Sequence, residues 1–167
     1  MSPRVVLVGS MGAGKTTVGR LLAERWDVGF RDTDHDVEAA AGKPVQEIFV
    51  DSGEDAFRAL ERSAVVAALA DHDGVLALGG GAVVAEETRA LLDGHTVVFL
   101  RVGLADAAKR VGLGVSRPLL LGNVRGRMKQ HIDERTPVYE SVATVVVETD
   151  GLTVDEVAEA VHAAVGS

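Results

Sequence analysis

The sequence predicts an α/β fold in three layers, α/β/α, with a central five-stranded parallel sheet and helices on both faces. Three observations carry that expectation. Short β-branched runs alternate along the chain with segments of helical periodicity, the order that right-handed crossovers turn into a parallel sheet. Most of these runs are continuously apolar, as strands buried on both faces are. The first run also ends in a glycine-rich turn that opens directly into an amphipathic helical pattern.

The first strand is expected over 4–8, through Val5-Val6-Leu7-Val8. Residues 9–16 then read Gly-Ser-Met-Gly-Ala-Gly-Lys-Thr and fit G-x-x-x-x-G-K-[ST], a phosphate-binding loop. Glycines let the strand turn tightly, so successive backbone N–H groups face inward at the start of the next helix, where the helix dipole also favours an anion. Lys15 is expected to reach the β- and γ-phosphates of a nucleoside triphosphate, and the Thr16 hydroxyl to ligate Mg²⁺. Gly12, Ala13, Gly14, Lys15, Thr16 and Thr17 are the expected nucleotide contacts of the loop. A helix over 15–26 follows, with Val18, Leu21, Leu22 and Trp26 at i, i+3, i+4 and i+8.

Further strands are expected at 29–33, 74–78, 95–100 and 143–148, and helices at 34–41, 44–51, 53–71, 86–93, 104–111, 123–134 and 153–165. The stretch 112–122 breaks the pattern. It holds Gly112, Gly114 and Gly122 around Ser116-Arg117-Pro118 and reads as a mobile lid over a site.

At 167 residues, 47% hydrophobic and 25% charged, the chain suits one domain, 1–167, with one sizeable core. A net charge of −8 and a pI near 5.1 argue against nucleic acid or an anionic membrane as partner, so an anionic substrate has to be caught by local arginines. The absence of cysteine excludes disulfides, zinc–thiolate sites and thiol catalysis. The first strand begins too near Met1 for a signal peptide, and no apolar run approaches the ~18 residues of a spanning helix. A cytoplasmic monomer is the expectation.

Asp32-Thr33-Asp34 closes the second strand. In an open parallel sheet ligands bind outside the carboxyl ends of the strands, so these side chains are expected to share a crevice with the phosphate loop. One carboxylate could hold Mg²⁺ through its waters and the other take a proton from an attacking hydroxyl. Asp34 could equally be a helix N-cap. In Gly53-Glu54-Asp55-Ala56-Phe57-Arg58-Ala59-Leu60-Glu61, the residues Glu54, Arg58 and Glu61 share a helix face. They read either as a surface ion-pair ladder worth ~0.3–0.5 kcal/mol per pair, or as an Arg58 fork for a substrate carboxylate oriented by Glu61 and walled by Phe57. Gly79-Gly80-Gly81 follows the third strand, where backbone can approach a ligand without Cβ obstruction. Arg110, Arg117 and Arg135 complete the set, Arg117 in the lid being placed to stabilise charge on a transferring phosphoryl group.

The phosphate loop, Asp32-Thr33-Asp34, Gly-Glu-x-x-Phe-Arg-x-x-Glu over 53–61, Gly79-Gly80-Gly81, Arg117-Pro118-Leu119 and Arg135-x-Pro-x-Tyr139 occur in that order, and together the chain resembles the shikimate kinase family from residue 5 to about 147. The resemblance implies a phosphate-loop NTPase of the nucleoside-monophosphate-kinase type, with substrate-binding helices at about 34–61. It implies transfer of the ATP γ-phosphoryl to the 3-hydroxyl of shikimate, on the way to aromatic amino acids. On it, Lys15 and Thr16 serve ATP and Mg²⁺, and Asp32 holds the metal shell. Asp34 binds substrate hydroxyls and acts as base, while Arg58, Gly80 and Arg135 hold shikimate. Arg117 reaches phosphate and Arg110 lies beside adenine. The chain departs from the family after its last strand, where Thr149-Asp150-Gly151-Leu152 replaces a basic or proline-containing loop. The nearest alternative is a related small-molecule kinase such as one acting on gluconate. A GTP-dependent switch lacks its guanine-reading Asn-Lys-x-Asp segment here, and intact Lys15, Thr16, Asp32 and Asp34 argue against an inactive nucleotide-binding module.

Overall fold

The computed structural model describes residues 2–110 and 118–166, with backbone alone over 118–125. In chain order the elements are β1 (Val5–Val8), α1 (Lys15–Trp26), β2 (Phe30–Asp32), α2 (Thr33–Ala41), α3 (Val45–Asp71), β3 (Val75–Ala77), a 3-10 turn (Ala82–Val84), α4 (Glu86–Leu91), β4 (Val97–Arg101), α5 (Leu104–Arg110), α6 (Pro118–Val142), β5 (Val145–Glu148) and α7 (Val154–Val165). The strands form one parallel sheet in the order β2-β3-β1-β4-β5. From β1 the chain leaves to one side for β2 and β3, then crosses to the other for β4 and β5. The crevice between these two halves opens at the carboxyl end of β1, where the phosphate loop begins.

The unbroken apolar run of β1 divides by a period of two. Val5 and Leu7 pack with Val18, Leu22, Val157 and Val161 of α1 and α7 on one face. Val6 and Val8 pack with Val65, Leu69, Phe99 and Tyr139, bringing α3 and α6 onto the other. A small third cluster of Val37, Ile48 and Phe57 joins α2 to α3 and carries those helices out beside the crevice.

All five strands lie where the sequence places them, to within two residues at either end. Two helices differ. The segments expected at 44–51 and 53–71 run on as α3, bent at Gly53, whose φ of 88° and ψ of 170° are outside the helical region. The helix expected at 123–134 extends over Pro118–Val142 and contains Pro137, a residue that disfavours a helix interior. Pro118 at its first position is where proline suits a helix start, so α6 takes in the last five residues of the expected lid. Arg117 lies outside the described residues.

Candidate active site

The loop between β1 and α1 is shaped by glycine where no other residue fits. Gly12 has φ 85°, and a Cβ there would stand 2.7 Å from the Ala107 carbonyl oxygen. Gly14, at φ 90°, caps α1 without a side-chain hydrogen bond, so the first N–H groups of the helix stay available to an anion. Lys15 Nζ donates to the Gly9 and Ser10 carbonyls, at 2.7 and 3.1 Å. Burial lowers this amine to about 8, against the upward pull of Asp34 and Asp32. A phosphate beside it would add negative charge and favour the ammonium.

The two aspartates divide their work. Asp32 is the N-cap of α2, its Oδ1 accepting from the Asp34 N–H at 2.9 Å, while Oδ2 accepts from the Thr16 hydroxyl at 3.2 Å. With the cap taken by Asp32, Asp34 turns into the crevice. Its carboxyl is pushed up to about 6, first by burial, then by Asp32 and Glu61, with Lys15 pulling the other way. Thr16 and Asp32 offer a hydroxyl and a carboxylate beside the phosphate loop, the hard oxygen donors that suit an Mg²⁺ retaining waters and sharing phosphate oxygens. Among the described residues no group of three or more His, Cys, Asp or Glu could hold a metal.

Across the crevice, Arg58 Nη1 donates to Glu61 Oε1 at 2.8 Å. Glu61 is only 3% exposed, whereas Glu54 is exposed. The surface-ladder reading is therefore replaced by a buried acid holding one arginine. The Arg58 guanidinium also lies 5.2 Å from the Phe57 ring centre, and Phe57 packs on Phe49 with centroids 4.7 Å apart. Phe49 was missed by sequence reasoning; its place eight residues before Phe57 was the available signal, hidden by the intervening Gly53.

The glycine run brings these groups together. A Cβ on Gly79 would stand 2.5 Å from Asp34 Oδ1 and 3.1 Å from Glu61 Oε2, and one on Gly81 would stand 2.6 Å from Arg58 Nη1. At Gly80 the nearest charged atom is Arg135 Nη1, 3.9 Å from the Cβ position. A side chain at Gly79 or Gly81 would thus displace the charged ends of Asp34 or Arg58, and Gly80 faces the second arginine. One cavity of about 790 Å³ is lined by the phosphate loop, Thr17, Asp32, Asp34, Arg58, Gly80, Arg110 and Arg135, within the size range of small-ligand sites.

Arg110 stands at the opposite end of this cavity. Its guanidinium donates to the Gly12 and Ala13 carbonyls at 3.2 and 3.4 Å, and to the Thr149 hydroxyl and carbonyl at 3.1 and 2.8 Å. The turn 149–152 is fastened by Gly151 N–H to Asp106 Oδ2 and by Gly103 N–H to Asp150 Oδ1, at 2.8 and 2.9 Å. Side-chain carboxylates thus hold the turn.

A phosphate loop at the carboxyl edge of a parallel sheet, facing a pocket of one raised acid and two arginines, defines an ATP-dependent small-molecule kinase on the nucleoside-monophosphate-kinase type of fold. The family model described as shikimate kinase matches residues 11–165. A shikimate kinase of Salinispora arenicola is 61% identical over 163 residues, covering 98% of each chain. Among solved structures, shikimate kinase from Acinetobacter baumannii in complex with shikimate superposes with a TM-score of 0.87 at 34% identity, covering 96% of this chain and 90% of that one. A gluconokinase from Sinorhizobium meliloti shares the fold, with a TM-score of 0.62 at 19% identity over 96% of this chain and 90% of its own. The chain belongs to the shikimate kinase family.

Proposed function

We propose that this protein transfers the γ-phosphoryl group of ATP to the 3-hydroxyl of shikimate, giving 3-phosphoshikimate and ADP. The observation that carries this reading is the convergence, in one cavity, of the phosphate loop, Asp34 and the arginines Arg58 and Arg135. The two guanidiniums grip the acceptor carboxylate, Arg58 pre-oriented by Glu61, and the Gly80 backbone packs against the ring. Asp34 accepts a hydrogen bond from the hydroxyl and takes its proton as the oxygen bonds to the γ-phosphorus. The bond from that phosphorus to the β,γ-bridging oxygen breaks, ADP leaves, and the proton passes from Asp34 to solvent. A carboxyl at about 6 is ionised at neutral pH yet basic enough to share a proton.

Lys15 and the N-terminal amides of α1 hold the phosphates, with Ala13 and Thr17 at the wall of the same loop, and Arg110 borders the adenine. Thr16 and Asp32 would hold Mg²⁺ beside the phosphates, where it would supply positive charge against that developing on the transferred group. Arg117, outside the described residues and assigned by family resemblance, would supply positive charge to the transferred phosphoryl group. The helical region at about 34–61 forms the acceptor side of a single kinase domain, and the protein acts as a cytoplasmic monomer. No helix among the described residues is long and apolar enough to cross a membrane.

The test is an ATP- and Mg²⁺-dependent assay offering shikimate, gluconate, a nucleoside monophosphate or no acceptor, with products resolved by mass. A phosphorylated product only from shikimate is expected. Turnover of gluconate instead would transfer the chain to the alternative kinase class, which shares its fold.

A further inference from the structure

Each glycine of Gly79-Gly80-Gly81 seats a different charged group of the acceptor pocket: Gly79 meets Asp34 and Glu61, Gly80 faces Arg135, and Gly81 meets Arg58. The run therefore acts as a template, and its position decides where the pocket's charges stand. Two buried hydroxyls fix it from behind. The Thr33 hydroxyl, fully buried, accepts from the Gly79 N–H at 3.1 Å. The Tyr139 hydroxyl donates to the Gly80 carbonyl.

Tyr139 does more than fill the core. Its ring is 1% exposed and packs on Phe99 with centroids 5.0 Å apart, which accounts for its bulk but not for its oxygen. A buried phenol oxygen needs a partner, and this one donates to the carbonyl of Gly80, the residue whose Cβ position lies 3.9 Å from Arg135 Nη1. Arg135 and Tyr139 lie one turn apart on α6. Burial pushes the phenol up, so the hydroxyl remains protonated and remains a donor across the working pH range. We infer that Tyr139 is a positioning residue for the acceptor, its hydroxyl locking the glycine template that follows β3 to α6 and so fixing Gly80 against Arg135, one of the two arginines that receive the substrate carboxylate. The inference rests on the proposed acceptor site, and it acts through Arg135 and Gly80 rather than by contact with substrate.

Tyr139→Phe keeps the ring and its packing and deletes only the donor. The expected result is a KM for shikimate raised roughly five- to twentyfold, with KM for ATP within about twofold of wild type. Loss of the hydroxyl through general loosening would instead raise both KM values together and would overturn the inference, as would an unchanged KM for shikimate. Phe99→Leu serves as the packing control: it removes the ring contact, leaves the hydroxyl, and should lower the melting temperature without separating the two KM values. A second readout is independent of the substrate. In ¹H–¹⁵N spectra of the free protein, Tyr139→Phe should move the Gly81 amide resonance, whose nitrogen shares a peptide group with the Gly80 carbonyl, while the Arg58 side-chain signal, held by Glu61, stays in place. If wild type fails to phosphorylate shikimate, the functional reading fails, and the Gly81 amide resonance still decides the positioning role: an unmoved signal refutes it.

Discussion

Asp34 couples the chemistry of the site to the stability of the fold. Burial, Asp32 and Glu61 push its carboxyl up to about 6 from an ordinary value of 3.8. The folded protein therefore holds that proton more tightly than the unfolded chain, so this contribution to stability is full below the usual Asp range and is lost as pH rises through about 6. Asp34→Asn, which is neutral throughout, should be more stable than wild type at about pH 7.5 by up to about 3 kcal/mol. Melting curves should show the gain shrinking between about pH 6 and pH 4, while phosphoryl transfer falls by roughly a hundred- to ten-thousandfold. In wild type, kcat/KM should decline below about pH 6 along a limb that the variant lacks. Arg58→Lys probes the other side of the pocket. An ammonium cannot keep both a bidentate carboxylate and Glu61, so initial rates should show KM for shikimate rising about tenfold with kcat less affected. The choice between the two aspartates illustrates what single residues conceal. By sequence the cap candidate is Asp34; the Oδ1 contact to the Asp34 N–H gives the cap to Asp32 instead and leaves Asp34 facing the crevice. Likewise the burial of Glu61 depends on packing against a glycine run eighteen residues further along, which no local pattern reports.

At the scale of elements, the bend in α3 has a function that its sequence only half discloses. The two helical patterns on either side of Gly53 were legible, yet their union in one bent helix was not, because a glycine with φ 88° and ψ 170° is a backbone choice rather than a periodicity. The bend lets Phe49 turn back onto Phe57 and close the apolar wall beside Arg58. Space is not the constraint at this position, since a Cβ would meet nothing within 4 Å; the dihedral angles are. Gly53→Ala should cost about 1–3 kcal/mol and lower the melting temperature by several degrees, measurable by calorimetry. The length of α6 was the plainest misreading. Pro137 removes one N–H but does not end the helix, because the flanking Arg135, Val138 and Tyr139 are held by the pocket and by the core. Tertiary packing outweighs a local helix-breaking preference here.

For the molecule as a whole, the parallel sheet was readable because buried strands are apolar throughout and helical segments separate them. Their spatial order was not, since nothing in β3 or β4 by itself says which flanks β1; β1 is paired with both. That order places the ends of β1, β2 and β3 side by side and brings the phosphate loop, the Asp32–Asp34 pair and the glycine run together. It also resolves an apparent conflict in the charge. A chain of net charge −8 accepts two anionic substrates because Lys15, Arg58, Arg110 and Arg135 are gathered along one cavity, while much of the acidic excess lies elsewhere on the surface. The central claim is that this cavity holds a carboxylated acceptor with one hydroxyl, and no other, set between Asp34 and the γ-phosphate. The most direct measurement is ³¹P and ¹H NMR of the reaction mixture after incubation of wild-type protein with ATP, Mg²⁺ and shikimate. ADP and a single new phosphomonoester, its phosphorus coupled to the proton on carbon 3, are expected. ADP with inorganic phosphate alone, or an ester on a different hydroxyl, would contradict the central claim.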